Sequence, residues 1–300
     1  MSLAAQIARI AVPYALVGVG GSLSERSGVI NIALEGILLN GAFGMAVGTI
    51  TTGSATIGLV AAIAAGALTA LLHAAVTVLA RADQIVSGLA INIASLGATR
   101  ALLRALFHSS SNSPRLLEEP IAPLPGFGWL GPLGEVLGNP LFLLAAAVVL
   151  LAHLSLLRSG AGLLVRAAGE RPAALDASGV SVVRVRMLAV VAGGALAGIG
   201  GAWLTIQQNL FTDGMSGGRG YIALAAMIAG KWRPASVVAA CLLFAGAETL
   251  QIRLARPGIP TQLLQAVPYL AALVVLSGWV GRAVPPAALG RPYKRGGESS

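Results

Sequence analysis

The apolar positions of this chain come in long solid blocks rather than in alternation with charge. Blocks at 3–23, 29–50, 57–80, 85–107, 141–157, 187–206, 235–252 and 263–280 each approach a membrane-crossing length. An α-helix needs ~20 residues to cross the hydrocarbon core, at ~1.5 Å per residue. A further block at 221–230 is about half that length and reads as a crossing half-helix or a re-entrant segment. A membrane barrel would instead show alternating segments of about ten residues. The pattern predicts an all-α, polytopic helical membrane protein with about eight or nine transmembrane helices, one segment being short or re-entrant. The first block runs into Ser24-Glu25-Arg26 without a small-x-small cleavage site, and its start is barely basic. It is expected to be a retained span, not a signal peptide.

Composition agrees. Of 300 residues, 56% are apolar and only 10% charged, against about 25% charged in an ordinary soluble domain. The single cysteine, Cys241, lies in an apolar block, which excludes an intramolecular disulfide framework and a cysteine metal site. His73, His108 and His153 are scattered, and His73 and His153 fall near span ends, where an interfacial place is expected. No metal and no cofactor are expected. The net charge of +9 sits on residues that flank the spans. That is what membrane orientation requires, so the expected partner is the lipid bilayer and not nucleic acid.

The connections divide by charge. Residues 108–138 carry Arg115 against Glu118, Glu119 and Glu135, and are read as extracytoplasmic. Residues 158–186 carry Arg158, Arg166, Arg171, Arg184 and Arg186 against Glu170 and Asp176, and are placed in the cytoplasm. The segment 282–300 carries Arg282, Arg291, Lys294 and Arg295 against Glu298, and belongs on the same side. The expected organisation is a transmembrane domain at 1–281, with the loop 158–186 inside it, and a basic cytoplasmic tail at 282–300. Counting back from the tail, with the short block crossing, places residue 1 outside. Arg100, Arg104, Arg253 and Arg256 then fall at outer span ends, against the trend.

Polar groups inside the spans narrow the function. A charge near the centre of a membrane helix costs roughly 2.5–3.5 kcal/mol on insertion scales, so it should face a bundle interior or a cavity. Asn31 and Glu35 are four apart, hence on one face. Ser87 and Asn92 share the fourth block, Gln207 ends the sixth, and Glu248 interrupts the block at 235–252. These residues either line a path for a polar solute or bond one another and hold the helices together. Nothing in the sequence carries an enzyme signature. There is no Walker A sequence, no HExxH, and no GxSxG in a strand-turn-helix context.

Within the basic loop, Gly169-Glu170-Arg171-Pro172-Ala173-Ala174-Leu175-Asp176-Ala177-Ser178-Gly179 combines an early Pro with a closing Gly. That asymmetry predicts a short helix of about two turns. It is either a connector or a docking element. A weak echo links Asn31-Ile32-Ala33-Leu34 with Tyr221-Ile222-Ala223-Leu224. Broken helices at matching positions are a feature of transporters built from repeats.

The loop resembles the coupling loop of ABC importer permeases, in the family that includes branched-chain amino acid, simple-sugar and nucleoside permeases. Further motifs are similar to that family. They are Glu25-Arg26-Ser27-Gly28-Val29-Ile30-Asn31-Ile32-Ala33-Leu34-Glu35-Gly36, with Ala33 where Gly is usual, and Val86-Ser87-Gly88-Leu89-Ala90-Ile91-Asn92. Others are Gly218-Arg219-Gly220-Tyr221, Gly230-Lys231-Trp232-Arg233-Pro234, Leu243-Phe244-Ala245-Gly246-Ala247-Glu248 and Pro268-Tyr269-Leu270. The resemblance runs from about Pro13 to Leu276 and leans to the shorter permease of the nucleoside or simple-sugar branch. It implies a multi-pass subunit of the bacterial plasma membrane that translocates a small polar solute. It implies ABC ATPase subunits on separate chains, a second related permease and an extracytoplasmic solute-binding lipoprotein as partners. Gly169, Glu170, Pro172, Ala173, Ala174, Ala177 and Gly179 would couple to the ATPase. Asn31, Glu35, Ser87, Asn92, Gln207 and Glu248 are the expected pathway residues. The alternative is a secondary transporter driven by an ion gradient, with Glu35 and Glu248 as proton carriers.

Overall fold

A computed structural model describes residues 2–116, 124–255, 266–274 and 283–294. Among them, helices α1 (Leu3–Arg26), α2 (Leu34–Thr52), α3 (Ala55–Ala74), α4 (Gln84–Phe107) and α5 (Pro132–Leu137) come first. Then follow α6 (Pro140–Arg158), α7 (Gly160–Glu170), α8 (Pro172–Ala177), α9 (Val182–Gln208), α10 (Arg219–Ala229), α11 (Pro234–Leu254) and α12 (Val267–Val274). A π-helical turn, Ala75–Leu79, prolongs α3. Seven of these elements are long and apolar enough to cross a membrane: α1, α2, α3 with its π turn, α4, α6, α9 and α11. The last apolar block is described only through α12; the rest of 263–280 lies outside the described residues, as do Glu118, Glu119, Arg282 and Arg295.

Burial sorts the helices into a core and a rim. In the most apolar window of α2 and of α9, 67% of residues are buried, against 22% in α3 and α6. The rim helices turn Val60, Leu68, Ile93, Leu150 and Leu151 outward, the expected face toward lipid. Helix α9 packs against α1, α2 and α3. Small residues make this possible, because apolar side chains gain nothing by leaving lipid and tight backbone approach must supply the attraction. A Cβ on Gly20 would lie 2.4 Å from the Gly193 carbonyl oxygen. One on Gly66 would lie 2.4 Å from the Gly194 carbonyl oxygen.

Basic residues gather at one end of the bundle: Arg26 closing α1, Arg81 after α3, the α6–α9 connection, and Lys231 and Arg233 before α11. The described tail segment lies here too, since the Gly290 N–H donates to the Gly28 carbonyl (3.1 Å). At the opposite end the α4–α5 connection meets the chain after α9. Leu116 N–H donates to Asn209 O (3.0 Å), and Arg100 pairs with Asp213 (2.7 Å).

The short block crosses. Arg219, opening α10, is bound to Glu248 of α11, whose carboxylate also accepts from Tyr14, halfway along α1. Past its other end, Trp232 donates its indole N–H to Glu25 (2.6 Å), and its carbonyl accepts from Arg26 Nε (3.1 Å). The non-helical residues 209–218 descend from the outer end of α9 to the bundle middle, and α10 completes the crossing to the basic end. At ~1.5 Å per residue, its 11 residues span about 16 Å, half the hydrocarbon thickness.

Candidate functional site

Two interrupted helices meet by their N-termini in the middle of the bundle. Unpaired N–H groups and a partial positive charge mark a helix N-terminus. Glu35, in the first turn of α2, supplies the anion between them. Its Oε1 accepts from the Gly218 N–H (2.7 Å) and its Oε2 from the Gly220 N–H (2.6 Å). The approach is close enough that a Cβ on Gly220 would sit 2.5 Å from Glu35 Cα. Asn92 of α4 closes the junction from the side. Its Oδ1 accepts from Gly36 N–H (2.8 Å), and its Nδ2 donates to Ile32 O (2.9 Å) and to the Tyr221 hydroxyl (3.0 Å). The two echoing segments therefore touch, one on each side of Glu35 and Asn92.

Beside the junction lies an ion pair. Arg219 Nη2 donates to Glu248 Oε1 at 2.7 Å, and the Tyr14 hydroxyl donates to Glu248 Oε2. Arg219 Nη1 also reaches the Met215 carbonyl (3.2 Å). The arginine side chain is 25% exposed and the glutamate 12%, so both look into a cavity rather than into lipid or solid core. That cavity, about 320 Å³, is lined by Tyr14, Gly217, Arg219, Ile222, Glu248, Gln251 and Pro268. Its size is at the lower end of the range of small-molecule sites, roughly 300–1,000 Å³. A larger cavity of about 600 Å³ lies between α1, α6 and α11, but its lining is apolar apart from His153.

The structure thus brings Glu35, Asn92 and Glu248 together and places the other expected pathway residues elsewhere. Ser87 and Asn31 lie toward the basic end, where residues 29–33 run without helix. Backbone of that kind survives inside a bundle only if its polar groups are bonded. Ile30 N–H donates to Gln84 Oε1 (2.7 Å), and His73 Nε2 donates to the Ile30 carbonyl (2.9 Å). A carbonyl only accepts, so Nε2 carries a hydrogen, and Nδ1 shares a hydrogen bond with the Ser87 hydroxyl (3.0 Å). His73 is therefore fully buried, not interfacial. Asn31 is also buried; its Nδ2 donates to Ser24 Oγ (3.2 Å), and its Oδ1 has no partner among the described residues. Gln207 sits at the far end of α9, away from the cluster.

The sequence reading missed Tyr14 and Arg219 as site residues. Two acids in membrane-length helices require a counter-charge, and Arg219 opens the apolar half-helix between them in the chain. That requirement was the available signal. Tyr14 gave none.

At the basic end, the expected short helix is α8, which leaves Glu170 outside it. Helix α7 ends at Glu170, and α8 covers only Pro172–Ala177. Glu170 therefore closes one helix instead of opening the next. Pro172 takes the first turn of α8, and Gly179 follows its end with φ +86°. Ala173, Ala174 and Ala177 are exposed, Leu175 is buried, and Gly169 is buried against α1.

Membrane-length helices around a buried acid–arginine–tyrosine cluster, with two broken helices meeting end to end, define a membrane transport protein. The chain belongs to the family described as branched-chain amino acid transport system / permease component, whose profile matches residues 3–276. It is 36% identical over 302 residues to the guanosine ABC transporter permease protein NupQ of Bacillus subtilis (strain 168), covering 95% of this chain and 94% of that one. It is 34% identical over 310 residues to the nucleoside ABC transporter permease protein NupC of Lactococcus lactis subsp. cremoris (strain MG1363), covering 94% and 93%. A more distant relative, the glucose ABC transporter permease protein TsgB13 of Haloferax volcanii, is 28% identical over 286 residues, covering 89% and 74%. The chain is a multi-pass permease subunit of an ABC importer in the cell membrane, a transport component and not an enzyme. As such it works with an ATPase and a substrate-binding partner; the gradient-driven alternative is not favoured.

Proposed function

We propose that the chain forms one half of the translocation path of an ATP-driven importer for nucleosides or simple sugars, and that the path runs past the Tyr14–Arg219–Glu248 cluster. The names of its relatives support that solute class. The observation that carries the reading is the charged cluster beside a 320 Å³ cavity inside an apolar bundle. A sugar hydroxyl both donates and accepts, so it can exchange with the Arg219–Glu248 pair without leaving either ion unsatisfied. Glu35 and Asn92 tie the starts of α2 and α10 together, so the two broken helices move as one piece, while Glu248 rides on α11. Asn31, with its free Oδ1, and Ser87 lie on the stretch toward the basic end, and Gln207 lies toward the opposite end.

A second, related permease completes the path. ATPase chains dock at the basic end, on the cytoplasmic side, against residues 169–179. A solute-binding lipoprotein delivers solute at the opposite end. The small exposed face of α8 suits entry into a groove on the ATPase. The test is nucleoside uptake by cells carrying Glu248→Gln. Removing one member of a buried ion pair costs roughly 3–5 kcal/mol, less where a cavity hydrates it. Uptake should fall at least about ten-fold, with insertion retained. Undiminished uptake would remove the cluster from the path.

A further inference from the structure

We infer that residues 283–294 form a clasp that fixes the segment 169–179 to the inner ends of α1 and α9, with Arg186 as the positioning residue at its centre. The inference rests on the coupling reading of 169–179 and adds the part that would carry its motion to the membrane helices. Helix α8 has six residues, too few to be stable alone, and Leu175 is its one buried residue. Something else must hold it rigid if a push on it is to reach the bundle.

The contacts supply the holder. The Ala288 N–H donates to the Gly169 carbonyl (2.8 Å), and the Gly290 N–H to the Gly28 carbonyl (3.1 Å). The Ala287 N–H donates to the Glu170 carboxylate (3.2 Å). Arg186, only 2% exposed, crosses between these strands of chain. Its Nη1 donates to the Arg291 carbonyl (2.8 Å) and its Nη2 to the Ala168 carbonyl (3.3 Å). Tyr293 packs on a small apolar core of Ala168, Leu175 and Val182, separate from the main core. There is no slack at the contact with α1, where a Cβ on Gly169 would meet the Arg26 carbonyl oxygen at 2.2 Å. Coupling between sites passes through packed, hydrogen-bonded elements of this kind. A buried guanidinium bonded to two carbonyls on different segments is a fixed joint, because removing it strands both acceptors.

The test uses the reconstituted full transporter with its ATPase and binding protein. Ala288→Pro deletes one donor, and Arg186→Met deletes the joint. Both should still bring down the ATPase and keep its basal ATP hydrolysis, while solute taken up per ATP falls about ten-fold. Arg186→Lys, with one point of charge instead of a fork, should fall between parent and Met variant. A spin label at Ser178→Cys gives a local readout that overall stability does not mimic; the native Cys241 is buried, away from this site. The label's mobility should rise in the Ala288→Pro background. If Arg186→Met does not accumulate in membranes, Ala288→Pro decides. Parental uptake per ATP and parental label mobility in that variant would overturn the clasp. Ala174→Trp separates the two ideas. If it assembles and transports like the parent, the coupling reading itself is wrong. If it abolishes coupling while Ala288→Pro is silent, only the clasp is wrong.

Discussion

Glu35 shows how a carboxylate persists in a membrane-length helix. From the sequence alone it is an unfavourable charge, and its replacement by Leu should do no harm to insertion. In the structure the same carboxylate accepts from the first N–H groups of α10 and stands between two helix N-termini. Glu35→Leu would orphan both donors, each at a cost of about 1–3 kcal/mol. We therefore expect the Leu variant to insert but to unfold at lower temperature in detergent and to lose uptake. Glu35→Gln, which keeps one carbonyl acceptor, should lie between. A Leu variant that melts with the parent would contradict the capping role. The other residue-scale lesson is Asn92. The sequence marked it as polar in a span, and the structure engages its amide with α2, α10 and the non-helical segment before α2.

At the scale of elements, the sequence was most legible where hydrophobicity alone decides. The long apolar blocks became helices because a chain in hydrocarbon must bond its own backbone. The breaks were less legible. Residues 29–33 belong to the second apolar block, yet they are not helical, because side chains from α3 and α4 bond their backbone instead. The boundary at Glu170 was missed because Pro172 starts a helix without requiring that the preceding one be absent. Many glycines in 193–201 gave the close packing of α9 correctly. Gly193→Leu should drive a side chain into the Gly20 carbonyl, 2.3 Å from the Cβ position, and overpacking of this kind costs about 1–3 kcal/mol or more. The control is Gly97→Leu on the exposed face of α4, where nothing lies within 4 Å. We expect loss of folded protein on size-exclusion chromatography for the first and none for the second. Equal yields would show that the α1–α9 contact has room to give.

For the whole molecule, the distribution of charge, the broken-helix junction and the clasp fit one mechanism. In the proposed mechanism the basic end would receive the ATPase, the clasp would pass its movement to α1 and α9, and the junction between α2 and α10 would turn that movement into exposure of the cavity to one side or the other. The family and class of transporter were legible because the motifs lie at tightly packed backbone positions: Gly28 in the turn after α1, Gly169 in the last turn of α7 and Gly220 in the first turn of α10. The Tyr14–Arg219–Glu248 cluster was not, because it joins residues 234 positions apart in the chain, and only the fold brings them together. The measurement that bears most directly on this account is nucleoside uptake into proteoliposomes holding the complete transporter, with ATP inside and the proton gradient collapsed. The account predicts uptake that requires ATP, survives the loss of the gradient and drops at least about ten-fold in Glu248→Gln. Uptake that follows the gradient without ATP, or that ignores Glu248, would contradict it.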